Sequence, residues 1–376
     1  MGARRPLGAF PQIGHGVEVA RLEGFIEAAV GGGDVGDRVD IDGCTLVAPG
    51  ASSGNPVGRG TVAGVTVPAT SFIVGPRATT GDGVEIATYD FGGDGPPLLF
   101  SHATGFHGRV WLPVAAHLRD HFHCFAFDAR GHGESAKAPH GRSDWGSVAR
   151  DALAVVDELD LAPVRAVGHS FGGTVLLLAE QSRPGTFHSL YCYEPVLLVD
   201  NAPPVPADDT IQAPRSPNAT ASGARRRREV FASREAAYAN YIGKPPFSSF
   251  DPAAVHAYVD YGFDDLEDGR VRLRCRGEDE ARVYEMAAHH DALERMGEIG
   301  CPVTVVCGAE FPHFGPEVIA HMAALLPRGT TEVLPGLGHF GPMERPAEVA
   351  ASILRAFDTG DSRSRQDTAA TGSAAS

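Results

Sequence analysis

The chain has 376 residues, a formal net charge of −15 at neutral pH and 43% hydrophobic residues. Its length and apolar content suffice for one large domain with a smaller one inserted in it. The negative charge argues against nucleic acid and anionic membrane surfaces as partners, because both select cationic faces.

No segment has the pattern of a membrane or secreted protein. No apolar run approaches the roughly 20 residues that cross a bilayer, and no apolar segment follows the arginines near the N-terminus, so a cytoplasmic location is expected. The cysteines lack the paired spacings of zinc sites, which predicts reduced thiols and no metal. They are Cys44, Cys124, Cys192, Cys275, Cys301 and Cys307.

Both ends of the chain are expected to lie outside the fold. Residues 1–70 are rich in small residues and proline and hold only a brief helical pattern, Val19 to Val30, so a disordered extension is predicted. Residues 359–376 lack apolar periodicity and are predicted to be a disordered tail.

Between these ends, short apolar runs alternate with helical patterns, which is typical of a mainly parallel sheet covered on both faces. Helices are expected after Ser143 and Asp144, which can cap a helix start, over Thr174–Ala179, and from Pro346 to Phe357. Strands are expected at Phe72–Val74, Glu85–Tyr89, Leu98–Ser101, His123–Phe127, Val164–Gly168, Ser189–Tyr193, Val303–Cys307 and Thr331–Leu334.

The alternation stops over residues 201–300, which divides a core (71–200 and 301–358) from an insertion after the sixth of these strands. An insertion there would cover the C-terminal sheet edge, where ligands of open α/β folds bind, so a helical lid is predicted. Its basic run, Arg225 to Arg228, is interpreted as the solvated first turn of a helix. Helices are expected at Arg226–Tyr241, Pro252–Tyr261 and Glu278–Met296.

The segment Gly168-His169-Ser170-Phe171-Gly172 has the pattern G-x-S-x-G. Glycine is abundant in this chain, so a match to the pattern by chance is not rare. The assignment therefore depends on the elements that precede and follow the motif. An apolar strand precedes it and an apolar helix follows it, as a nucleophile elbow requires. Side chains at the glycines would collide with the adjoining strand and helix. Ser170 is therefore predicted to be a nucleophile.

A serine hydroxyl needs a base within hydrogen-bonding reach. Of the sixteen histidines, His339 follows the last predicted strand and precedes the last helix. That position places it at the same sheet edge as Ser170, in the order nucleophile, acid, base.

The strand that ends at Ser101 is followed by His102-Ala103-Thr104-Gly105, which is where inward N–H groups could bind an oxyanion. We assign this role to the N–H groups of Thr104 and Phe171. His102, His169 and Phe340 are expected to line the substrate site. For the His102 side chain, stabilisation of the turn is an equally good interpretation.

Four segments resemble, in this order, the landmark motifs of the α/β-hydrolase superfamily. They are His102 to Gly105, Asp128 to Ser135, the elbow at Ser170, and Gly338-His339-Phe340. The resemblance spans roughly Phe72 to Phe357 and implies that superfamily's fold, a mostly parallel sheet flanked by helices. Asp128 to Ser135 resembles a structural turn without a catalytic role. A serine in the elbow excludes the dehalogenases and epoxide hydrolases of this fold, which carry an aspartate there.

The chain departs from the superfamily at the triad acid. The common pattern puts an aspartate three residues after the glycine ending the strand before the acid loop, but here Gly308-Ala309-Glu310 precedes Phe311. Two carboxylates remain, Glu310 on that loop and Glu194 after the preceding strand, where some members carry their acid. Pro195 is expected to hold Glu194 extended. Glu194 is preferred, with Glu310 as the alternative.

These residues predict a serine esterase that works through an acyl-enzyme on a small-molecule ester or related carbonyl compound and needs no cofactor. A C–C-bond hydrolase, a cofactor-free peroxidase or an acyltransferase would use the same triad. A non-catalytic receptor for small ligands is the alternative from another class. The aromatic side chains of the insertion suit either an apolar or aromatic substrate or packing within the insertion. They are Phe231, Tyr238, Tyr241, Phe247, Phe250, Tyr258 and Tyr261.

Overall fold

The computed structural model describes residues 72–138, 144–197, 219–310 and 315–358. Thirteen strands lie within these ranges. They are β1 (Ile73–Val74), β2 (Ala78–Thr79), β3 (Glu85–Ile86), β4 (Thr88–Gly92), β5 (Pro97–Ser101), β6 (His123–Phe127), β7 (Val164–His169), β8 (Phe187–Tyr193), β9 (Val230–Phe231), β10 (Phe263–Asp265), β11 (Val271–Leu273), β12 (Val303–Gly308) and β13 (Gly329–Leu334).

Eight of these strands form the central sheet, in the order β1-β4-β6-β5-β7-β8-β12-β13. The pairs from β6 to β13 are parallel, whereas β4 pairs antiparallel with β6 and β1 with β4. Strands buried on both faces need apolar residues in succession, as in Leu98, Leu99 and Phe100, which have no exposed surface. The predicted mainly parallel sheet is confirmed. The expected strand Glu85–Tyr89 is divided into β3, which pairs with β2 outside the central sheet, and β4, and the other predicted strands are present.

Helices cover both faces of the sheet. Asp144 caps the helix after the expected Ser143–Asp144 start, because its carboxylate accepts the Ser147 N–H at 2.8 Å. The helices are α1 (Leu112–Ala115), α2 (Trp145–Glu158), α3 (Phe171–Ser182), α4 (Ala219–Arg225), α5 (Arg234–Ile242), α6 (Pro252–Tyr261), α7 (Gly277–Glu285), α8 (Pro316–Leu325), α9 (Gly341–Glu344) and α10 (346–358). Shorter 3₁₀ turns lie at Gly108–Trp111, Phe247–Ser249 and Met296–Glu298.

The insertion differs from the sequence prediction in two places. Instead of one helix over Arg226–Tyr241, helix α5 starts at Arg234, because β9 pairs antiparallel with β11 in a small sheet that also contains β10. Instead of running to Met296, helix α7 ends at Glu285. Strands of two or three residues depend on their partners, so they leave no period in the sequence.

Several predictions fall on residues outside the described ranges and stay predictions. They concern the N-terminal extension (1–70) with its Val19 to Val30 pattern, the tail (359–376) and the first part of the insertion (201–218). The division into core and lid likewise stays a prediction. No helix among the described residues has both the length and the apolar content to cross a membrane.

The segment Asp128 to Ser135 forms hydrogen bonds with β4 and with the loop that follows β5. The buried carboxylate of Asp128 accepts the N–H groups of Gly108 and Glu134 and the hydroxyl of Tyr89, at 2.6 to 2.7 Å. A buried carboxylate that accepts several hydrogen bonds from protein groups stabilises the fold. This agrees with the structural role expected for the segment.

Arg130, in the same segment, forms an ion pair whose loss is expected to destabilise the fold. Its guanidinium donates twice to Asp151, and both side chains have 1% or less of their surface exposed. Arg130→Met would leave a buried carboxylate unpaired, which should lower the free energy of unfolding by about 3–5 kcal/mol. Urea denaturation followed by tryptophan fluorescence measures this.

Arg270→Met is the control for this prediction. The ion pair of Arg270 with Asp268 is exposed, so its loss should leave the free energy of unfolding nearly unchanged. Equal losses of stability in the two variants would contradict the role assigned to Arg130.

Candidate active site

Ser170 occupies a sharp turn between β7 and α3. Its φ of 54° lies in a region that residues with a side chain rarely adopt. A Cβ on Gly168 would lie 2.6 Å from the Gly172 carbonyl oxygen, and one on Gly172 would lie 2.4 Å from the Ser101 carbonyl oxygen. Glycine is therefore required at both positions, and the second contact brings the turn against the loop that follows β5.

Glu194 and His339 are joined directly. His339 Nδ1 lies 2.6 Å from Glu194 Oε2, and the other carboxylate oxygen accepts the Gly308 N–H at 2.9 Å. The backbone of Ser170 adjoins Glu194, because its N–H donates to the carbonyl of Tyr193, the residue before Glu194, at 2.9 Å. All three side chains are buried, with Ser170 the most exposed at 8%.

Burial controls the protonation of this pair. It lowers the pKa of His339 well below its usual range, because a charged imidazole is poorly solvated there. It also raises the pKa of Glu194, against the lowering effect of the Gly308 N–H. A neutral imidazole is the form that accepts a proton from a hydroxyl.

The His339 loop is fixed to the elbow and to β8. His169 Nε2 donates to the His339 carbonyl at 2.8 Å, and the two rings lie 5.0 Å apart. The Tyr193 hydroxyl donates to the Gly338 carbonyl at 2.7 Å. His169 is fully buried and, through this bond, contacts the loop that carries His339.

The predicted oxyanion donors lie on two adjoining segments. Phe171 is the first residue of α3, and the first N–H groups of a helix have no acceptor within it. Thr104 shares a peptide unit with the Ala103 carbonyl, which accepts from His102 Nδ1 at 2.8 Å. Because N–H and C=O point in opposite directions across a planar trans peptide, this bond sets the direction of the Thr104 N–H.

Both ring nitrogens of His102 bond backbone groups. Its Nε2 accepts the Ala129 N–H at 2.9 Å, which leaves the proton on Nδ1 for the Ala103 carbonyl. His132 acts similarly, since its Nε2 accepts the Gly105 N–H at 3.1 Å. Of the two interpretations offered for His102, the geometry favours the one that stabilises the turn.

Aromatic rings of the insertion reach the loops of the core. Phe106, after β5, lies 5.3 Å from Tyr258 and 5.8 Å from Phe340 between ring centroids. Phe340 in turn lies 5.4 Å from Phe250 and 5.0 Å from the His339 ring. These rings therefore do not pack only within the insertion.

Two expectations about charged residues are wrong. Arg225 is the last residue of α4 and Arg226 to Arg228 follow it, so this run is not the first turn of a helix. Arg227 is buried against Glu280, whose carboxylate neutralises it. Glu194 is not extended, since its φ is 44°. The Glu194 N–H donates to the Val306 carbonyl and the elbow occupies the preceding carbonyl, so both neighbouring segments impose this conformation.

Glu310 adjoins the His339 loop through its backbone. It is exposed, and its N–H donates to the Leu337 carbonyl at 2.9 Å. The carboxylate that contacts His339 among the described residues is that of Glu194.

Sequence reasoning missed the contributions of Gly308, Tyr193 and Glu280. The first acts through its backbone N–H, which leaves no signal in the sequence. Tyr193 precedes the candidate acid directly, and that position could have drawn attention to its hydroxyl. Glu280 lies 53 positions along the chain from Arg227, the residue it neutralises.

Comparisons with known proteins agree with this architecture. Residues 98–352 match the model of the alpha/beta hydrolase family. Over 289 residues the chain is 27% identical to BpoC of Mycobacterium tuberculosis, a candidate non-heme bromoperoxidase, covering 72% of this chain and 96% of BpoC. A non-heme chloroperoxidase of Burkholderia pyrrocinia is 39% identical over 100 residues, which is 26% of this chain and 36% of that protein.

Among solved structures, E-2-(acetamidomethylene)succinate hydrolase superposes with a TM-score of 0.63 at 21% identity, covering 77% of this chain and all of that one. At this identity the likeness concerns the fold. The family match spans more than half of the chain, including the elbow and His339. The chain therefore belongs to the alpha/beta hydrolase family and is an enzyme of that family.

Proposed function

We propose that the enzyme hydrolyses a small-molecule ester or related carbonyl compound through an acyl-enzyme on Ser170. The observation that carries the proposal is the 2.6 Å contact between Glu194 and His339 Nδ1 beside a strained serine turn. A carboxylate there holds the imidazole in the tautomer whose Nε2 is free to accept the serine proton.

The reaction proceeds in two halves. Ser170 Oγ attacks the carbonyl carbon while His339 takes its proton, and His339 then returns that proton to the leaving alcohol. In the second half His339 takes a proton from water as the water attacks the acyl carbon, and it then returns that proton to Ser170 Oγ as the acid leaves. The N–H groups of Thr104 and Phe171 bind the oxyanion in both halves, and such a donor contributes about 10²–10³-fold to kcat in serine hydrolases.

The insertion covers this site as a lid in our proposal. Support comes from the contacts of its rings with Phe106 and Phe340, which flank the oxyanion loop and His339. An apolar wall of this kind favours an acyl group without charge. A series of 4-nitrophenyl esters of increasing acyl length tests it, and the expected result is a KM that falls with length.

A direct test of the nucleophile uses diethyl 4-nitrophenyl phosphate. The reagent should release one equivalent of 4-nitrophenol per chain and leave a diethylphosphoryl group on Ser170, located by peptide mass spectrometry. Ester hydrolysis should disappear in parallel. Label on another residue, or activity in fully labelled enzyme, would refute the proposal.

Activity is expected to persist at acidic pH. His339 must be neutral to act as base, and burial lowers its pKa, so it stays neutral below the usual histidine value of about 6.5. Burial likewise lowers the pKa of His102 and of His132 to about 4, so both keep accepting backbone N–H groups. The acid limb of kcat/KM for 4-nitrophenyl acetate should therefore lie below about pH 6. A limb centred at or above pH 6.5 would contradict this.

A second candidate function is perhydrolysis, which the likeness to BpoC favours. Hydrogen peroxide would replace water, attack the acyl carbon and release a peracid, while Ser170 regains its proton from His339. Adding peroxide to the 4-nitrophenyl acetate reaction and trapping the peracid with bromide and monochlorodimedone tests this. If no bromination is observed, water alone hydrolyses the acyl-enzyme and perhydrolysis is refuted.

A further inference from the structure

The insertion holds a buried ion pair against the loop that follows β5. Arg227 Nη1 donates to Glu280 Oε2, and the two side chains are 8% and 2% exposed. Arg227 Nη2 also donates to the hydroxyls of Tyr258, at 2.6 Å, and Tyr241, at 3.2 Å. A buried charge is tolerated when it is paired and hydrogen-bonded, and here both conditions hold.

The carboxylate of this pair touches Gly105. A Cβ on Gly105 would lie 2.6 Å from Glu280 Oε1 and 3.4 Å from Arg227 Nη1. Gly105 also has a φ of 79°, so a side chain there would meet both a strained backbone and the carboxylate. The Gly105 N–H donates a hydrogen bond to His132 Nε2. The loop is therefore fixed by an imidazole of the core and by a carboxylate of the insertion.

We propose that Glu280, anchored by Arg227, is a positioning residue for the oxyanion loop. The inference rests on the proposed function, in which Thr104, the residue before Gly105, donates an N–H to the oxyanion. Glu280 does not touch the substrate. It packs on Gly105 and holds the peptide between Thr104 and Gly105 in place, next to the peptide whose direction the His102 bond sets. Arg227 cancels a negative charge that would oppose the oxyanion.

Two substitutions of Glu280 separate this role from a general effect on folding. Glu280→Ala and Glu280→Gln both remove the negative charge that neutralises Arg227, but only the glutamine keeps a planar group against Gly105. Glu280→Ala should lower kcat on 4-nitrophenyl acetate about 10–100-fold with little change in KM, and Glu280→Gln should recover most of that loss. Melting temperatures should fall in both.

Arg225→Met is the matched control. Arg225, the last residue of α4, pairs with Glu278 and Glu285 of α7, and its side chain is 38% exposed, against 8% for Arg227. Its loss should leave kcat within about twofold, since exposed pairs contribute little. If Glu280→Ala does not fold, Glu280→Asp serves instead, because it retains the charge and withdraws the carboxylate from Gly105, and kcat should again fall.

Three results would overturn the inference. They are equal kcat values for Glu280→Ala and Glu280→Gln, a loss confined to KM, and a loss of the same size in Arg225→Met. Labelling of Ser170 by diethyl 4-nitrophenyl phosphate in the wild type is measured alongside. If that labelling fails, the proposed function fails, whereas normal labelling with unaffected Glu280 variants refutes only the positioning role.

Discussion

Ser170→Ala should lower kcat on 4-nitrophenyl acetate by about 10⁴-fold or more, because in the proposed mechanism Ser170 forms the acyl-enzyme. The hydroxyl lies at a backbone position with a φ of 54°, and such strain is retained where function requires it. Alanine keeps the Cβ and removes only one oxygen, so the melting temperature should change by less than about 3 °C. Steady-state kinetics and thermal denaturation measure the two effects.

Ser182→Ala is the control for this substitution. Ser182 lies at the other end of helix α3, and its hydroxyl donates to the Leu178 carbonyl at 2.7 Å. Its replacement should leave kcat unchanged. If Ser170→Ala keeps more than a few per cent of wild-type activity, Ser170 is not the nucleophile.

Glu194→Gln should lower kcat about 10⁴-fold, as expected when a base is held in the wrong tautomer. The Gly308 N–H bonds one carboxylate oxygen, and in the variant it would select the amide oxygen. The amide NH₂ then faces His339 Nδ1 and can only donate to it. The ring proton must move to Nε2, where it blocks transfer from Ser170.

Glu310→Gln provides the comparison. Glu310 is exposed on the loop that the common superfamily pattern would use, and its replacement should change kcat by less than about threefold. Both variants should melt near the wild-type temperature. A collapse of activity confined to Glu310→Gln would show that the acid lies on the later loop.

The sheet could be predicted because each central strand carries its own signal. Strands such as His123–Phe127 are short apolar runs bounded by polar turns, and the observed bounds agree with the prediction. Ser170 and His339 were identifiable by their places after particular strands. Their motifs and the topology together determine those places.

Residues whose roles depend on the folded arrangement could not be predicted in this way. Glu194 and Glu310 both follow strands that end at the same sheet edge, so sequence alone could not decide between them. Arg227 and Glu280 are 53 positions apart, and their pairing depends on the packing of α4 against α7. A charged residue in a basic run looks solvated until its distant partner is known.

The bond between Glu194 and the Gly308 N–H has an evolutionary consequence. It places the carboxylate after β8 in contact with the end of the neighbouring strand β12, which is where many relatives of this fold carry their acid. A mutation that added a carboxylate after β12 would put a second group beside the same imidazole. For the proposed triad, a lineage could therefore gain the new acid before losing Glu194, and the acid could change strands without an inactive ancestor.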